Sequence, residues 1–112
     1  MIIVHGTIPL LPGCRERAID LARDMAVVTR EEVGCLSYDF YLGLSDPNTL
    51  MLFQEWGSME ALVAHFQTDH MASFLRELPE LVSGEITTRR YVVHSMDDEE
   101  PIEQEEAAPI VH

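Results

Sequence analysis

Two short runs constrain what this chain can fold into more than any other feature. CLSYDFYLG (35–43) and TLMLFQEW (49–56) are rich in aromatic and aliphatic residues. The SDPN between them is a turn signal, with Pro47 suited to fix φ. They predict two strands joined in a hairpin. Alternation sets Leu36, Tyr38, Phe40 and Leu42 on one face, and Cys35, Ser37, Asp39 and Tyr41 on the other. Large side chains on both faces predict helices over one side of the sheet and a second cover, such as another subunit, over the other.

The flanking segments supply the helices and two more strands. IIVHGTIPL (2–10) is β-branched and ends at the Pro12-Gly13 turn, so it reads as a first strand. From Cys14 to Val33, Ala18, Leu21, Met25 and Val28 recur at helical spacing, and Gly34 offers a left-handed stop. Ser58 can cap a helix beginning at Met59, and Thr68 another beginning at Asp69 whose apolar stripe is Met71, Phe74, Leu75 and Leu78, ended by Pro79. EITTRRYVVHS (85–95) reads as a last strand. The order β-α-β-β-α(α)-β predicts an α+β chain with the ferredoxin-like split βαβ arrangement and an antiparallel sheet.

Charge marks the domain boundary and removes several classes of partner. The formal net charge is −13, and seven of the 20 acidic residues fall between Asp97 and Glu106. Residues 1–95 therefore read as the folded domain, and 96–112 as an acidic, disordered C-terminal tail. The seven basic residues are all arginine and form no stripe, which argues against nucleic acid and against an anionic membrane surface. No apolar run approaches the roughly 20 residues of a membrane-spanning helix. MIIVHGTIPLLPG lacks the basic start of a secretory signal, and Cys14 and Cys35 have no CxxC spacing, so a reduced, cytoplasmic protein is the expectation.

Chemistry-bearing residues gather in EWGSMEALVAHFQTDH (55–70). On one continuous helix His65 and His70 would lie roughly 140° apart on the helical wheel, whereas metal ligands on one helix face need spacings of three or four. A metal site is therefore not expected. Cys14 at a helix start suits a capping role better than a nucleophile's, for want of an identifiable base. His65 sits among apolar residues and is either a base tuned by burial or, more often in such a place, a core histidine. Trp56, Phe66 and Phe74 are likewise more often core than pocket, and Arg89-Arg90 more often solvated.

EEVGCLSYDFY and LFQEWGSMEALVAHFQTDHMASF, in this order, resemble the antibiotic biosynthesis monooxygenase family, over roughly residues 2 to 95. The resemblance implies a ferredoxin-like fold whose homodimer closes two sheets into an α+β barrel. It also implies, for some members, oxygenation of quinols or polycyclic phenols with O₂ as co-substrate and no cofactor. His65 and Trp56 would then be the catalytic residues, with Tyr41, His70 and Phe74 against a small aromatic or quinol-like ligand, and no metal. A haem-degrading branch of the fold needs an asparagine and a histidine where this chain has Gly6 and Leu75, so haem cleavage is not expected. The rival reading is a non-catalytic dimeric ligand-binding or stress-response protein, and a third is a histidine-dependent isomerase or lyase working without O₂.

Overall fold

A computed structural model describes residues 1–94. The acidic segment 96–112 read from the sequence lies outside the described residues. Strands β1 (Ile2–Pro9), β2 (Cys35–Leu42), β3 (Thr49–Trp56) and β4 (Thr87–Val92) form one antiparallel sheet in the order β2-β3-β1-β4. Helices α1 (Arg15–Thr29), α2 (Met59–Phe66) and α3 (Asp69–Glu77) complete the expected α+β, ferredoxin-like order.

Period-two alternation builds the core. Ile2, Val4 and Ile8 of β1 and Leu50, Leu52 and Trp56 of β3 are buried and face the helices. Against them α1 sets Ala18, Ala22, Met25 and Ala26; the three alanines let the helix approach the sheet closely. Leu62 of α2, Phe74 of α3, and Leu78 and Leu81 beyond it close the same cluster. On the opposite sheet face Ile3, His5, Thr7, Met51, Phe53 and Glu55 are half-buried, and all of β4 is exposed.

The helices start where the hydroxyl caps predict. Ser58 Oγ accepts from the Ala61 amide at 3.1 Å, and Thr68 Oγ1 from that of Met71 at 3.2 Å. Three details depart from the sequence reading. The first helix ends at Thr29 rather than Val33, because the amides of Glu31 and Glu32 bond to the Val28 and Thr29 carbonyls, a tightened i−3 pattern that leads out of the helix. A bulge between Cys35 and Ser37 throws Leu36 off the inner face, leaving it 58% exposed while Tyr38 is sealed. Leu75, placed in the apolar stripe of α3, is half-exposed.

Gly34 has φ +87°, the left-handed conformation the sequence offered. Its carbonyl accepts from the Gly57 amide at 2.8 Å, which ties the α1–β2 turn to the start of α2. A Cβ at Gly34 would lie 2.5 Å from Cβ of Ala61. Gly34→Ala is therefore expected to lose about 1–2 kcal/mol to the left-handed backbone alone, and more to the clash. Urea unfolding measures the loss. Wild-type stability would mean that the turn opens at no cost.

Candidate functional site

One carboxylate organises the polar interior. Glu32 Oε2 lies 2.8 Å from His65 Nδ1 and 2.6 Å from His70 Nε2. A carboxylate only accepts hydrogen bonds, so those two ring nitrogens carry the protons when the bonds form. The His65 side chain is fully buried; that of Glu32 is 14% and that of His70 24% exposed. With Nδ1 donating, the second nitrogen of His65, Nε2, presents a lone pair, and it has no hydrogen-bond partner. Leaving a buried polar atom unpaired typically costs about 1–3 kcal/mol.

Local structure explains the convergence. The α2 helix stops at Phe66, and the Thr68 hydroxyl donates to the His65 carbonyl at 2.8 Å while accepting from the first turn of α3. Thr68 itself is extended, φ −80° and ψ 155°. The helix direction changes there, and the separation expected from a continuous helix does not hold. That premise is corrected: His65 and His70 meet on one carboxylate, their ring centroids 6.0 Å apart.

Aromatic rings wall His65 in. The Trp56 ring is centred 4.9 Å from the imidazole and that of Tyr38 5.6 Å from it. Trp56 is fully buried, and its Nε1 donates to Gln54 Oε1 at 2.6 Å. Burial pushes the Tyr38 phenol well above its usual range, and the negative charge of Glu32 pushes further. Burial, then Glu32, also raises the Cys35 thiol, with Arg30 opposing, so this cysteine lacks the environment of a nucleophile.

Two clefts flank α1. One, of about 410 Å³, lies between α1 and β2 and is lined by Ile19, Val27, Arg30, Phe40, Tyr41 and Leu50. The other, of about 240 Å³, lies between α1 and α3 and is lined by Leu21, Met25, Val28, His70, Ser73 and Phe74. Of the residues expected at a site, His70 and Phe74 therefore share a cleft, and Tyr41 stands on a different one. His65 and Trp56 line neither; the imidazole is sealed, the core position that such a histidine more often takes.

The sequence reading missed Glu32. Its signal was position: an acid just past the C-terminus of a helix sits where the dipole disfavours negative charge, so a compensating partner is called for.

A family model for antibiotic biosynthesis monooxygenases matches residues 1–77. The chain belongs to this family. The matched span contains Glu32, Trp56, His65, His70 and Phe74. An uncharacterized protein of Synechocystis is 32% identical over 92 residues, which is 82% of this chain but only 63% of that protein's length. YcnE of Bacillus subtilis, provisionally named a monooxygenase, is 27% identical over 90 residues, covering 80% of this chain and 95% of its own. Among solved structures, Rv0793 of Mycobacterium tuberculosis superposes with a TM-score of 0.80 at 25% identity, over 87% of this chain and 98% of that one. Among the described residues, no helix is long and apolar enough to cross a membrane.

Proposed function

We propose that this member of the antibiotic biosynthesis monooxygenase family oxidises a quinol or polycyclic phenol with O₂, without a cofactor, in the α1–α3 cleft. The observation that carries the reading is the Glu32 carboxylate bonded to His70, which lines that cleft, and backed by the sealed His65. His70 is the group that meets the substrate hydroxyl and takes its proton, with Glu32 stabilising the imidazolium that results. Fully buried, His65 is a positioning residue: its N–H holds the carboxylate in place. Trp56 in turn packs against His65.

Shape and charge of the cleft suit such a ligand. Leu21, Met25, Val28 and Phe74 give half of its lining an apolar face, and its volume, just below the roughly 300–1,000 Å³ usual for ligand pockets, holds only a small fused aromatic. Asp24 and Glu77 also line it and disfavour a ligand already negative, so the quinol enters neutral, and its anion forms only beside the His70 imidazolium that offsets their charge. Ser73 carries a hydroxyl there that can donate to the developing oxyanion. The electron-rich anion reduces O₂ directly. One oxygen atom is inserted at a ring C–H position and the other leaves as water, the electrons coming from that C–H bond and from oxidation of the quinol to a quinone. No further reductant is required.

The half-buried outer sheet face, with Ile3, Met51 and Phe53 beside exposed Tyr91, supports a homodimer closed over it, which sedimentation of the purified protein tests.

The reaction is tested by O₂ consumption with a reduced naphthoquinone, after chelator treatment and with autoxidation subtracted. The expected result is a wild-type rate well above background that falls about 10²–10⁴-fold in His70→Ala, the range for loss of general acid–base catalysis. Wild-type uptake at background overturns this substrate class. The rival reading, a binding protein that holds an apolar ligand without turnover, draws on the complete burial of His65. It predicts saturable quinone binding with no uptake.

A further inference from the structure

The polar cluster has a second capacity. Glu32, His65 and His70 each offer one ligand atom within 4.8 Å of the other two. We infer that these three side chains form a binding site for a divalent transition-metal ion, which competes with proton transfer for the same groups.

Donor type comes first. Two imidazole nitrogens and one carboxylate oxygen suit zinc, cobalt or ferrous iron, and do not suit magnesium or calcium, which take oxygen ligands. Placement comes second. Glu32 is fixed by the turn that Gly34 ties to α2, His65 lies in the last turn of α2, and His70 lies in the first turn of α3. Three ligands from three separately anchored elements make a site that is largely built before an ion arrives. Burial comes third: His65 is sealed and Glu32 nearly so, so an ion there would exchange few waters on the inner side, while the 24% exposure of His70 leaves an approach from the α1–α3 cleft.

The fit requires a small adjustment. Ligands bonded to one tetrahedral ion at about 2.0–2.2 Å stand roughly 3.3–3.6 Å apart, and here oxygen and nitrogen are 2.8 and 2.6 Å apart, the spacing of hydrogen bonds. Rotation of the Glu32 carboxylate and a slight turn of the partly exposed His70 ring open that gap. Each ring must also move the proton it shares with Glu32 to its other nitrogen, because a metal ligand needs a free lone pair. Once an ion is bound, His70 and Glu32 can no longer accept a proton from a substrate. The occupied state is therefore the inactive one, a consequence that rests on the proposed oxygenase reaction, whereas the binding itself does not.

Cobalt(II) is the probe. The full chain, freed of metal by a chelator that is then removed, is titrated with Co²⁺ while visible absorption and melting temperature are recorded. The expected result is saturation at one equivalent per chain, a raised melting temperature, and affinity at least tenfold weaker in both Glu32→Gln and His70→Ala. His5→Ala, on the opposite face of the sheet, should leave the titration unchanged. Absence of a saturable band, or a band of undiminished affinity in the two ligand variants, overturns the site. Melting of each variant without metal identifies any that fails to fold, and Glu32→Gln keeps the shape of the side chain it replaces. O₂ uptake is measured in parallel on the chelated protein. Uptake without a cobalt band removes the metal site and leaves the oxygenase standing; a cobalt band without uptake does the reverse; with both, added Co²⁺ should lower the rate.

Discussion

Trp56→Ala is expected to lose about 3–5 kcal/mol of stability, the usual cost of removing a fully buried tryptophan side chain. Two terms act together. The cavity opens at the end of β3, between the sheet and the His65 ring 4.9 Å away, and the Gln54 oxygen loses its 2.6 Å donor while staying buried. Against the roughly 5–15 kcal/mol total of a small domain, such a loss removes from about a fifth to all of the stability. Trp56→Phe separates the terms, because it keeps most of the ring but still orphans Gln54; about 1–3 kcal/mol is expected from the orphaned group. Urea unfolding followed by circular dichroism measures both, since Trp56 is the only tryptophan and its fluorescence goes with it. Equal losses in the two variants would show that the hydrogen bond, and not the ring's volume, dominates.

Glu32→Ala should have the next largest effect, and on two readouts at once. It strips the acceptor from His65, which is completely buried, and from His70. A buried donor without a partner costs about 1–3 kcal/mol, and for a domain of this size that lowers the melting temperature by about 5–20 °C. Glu32→Gln keeps an oxygen that can still accept, so its stability loss should be under about 1 kcal/mol. Its O₂ uptake should nevertheless fall with that of the alanine variant, because the negative charge that stabilises an imidazolium on His70 is gone. Scanning calorimetry and oxygen-electrode rates on the two variants form the test. A Glu32→Gln protein with wild-type uptake would sink the assignment of Glu32 to proton transfer, whatever its melting temperature.

These effects fall on residues that differ in how visible they are from the sequence. The hairpin, the split βαβ order, the Ser58 and Thr68 caps and the left-handed Gly34 are all legible there. Each depends on contacts within a few residues: period-two or helical alternation, a hydroxyl three positions from an amide, a glycine where φ must be positive. The motif around Trp56 and His65 is legible for the same reason, and so is the family. Leu36 and Leu75 show the limit of that local reading. A bulge rotates the first off its strand face, and the second lies on a helix whose buried contacts centre on Phe74.

What the linear order does not contain is the site. Glu32 stands 33 positions before His65 and 38 before His70, and no spacing rule links them. They meet because the first helix stops early, Gly34 pins the following turn to the start of α2, and Thr68 breaks the helix between the two histidines. Each of these is a small local event. Their combination, which sets three polar side chains within bonding distance inside an apolar shell, is a property of packing. The sequence alone determined the elements, their order and the family. Only the tertiary structure decided that His65 is sealed, that His70 is the histidine on a cleft, and that one carboxylate joins them, because burial and convergence depend on neighbours far apart in the chain.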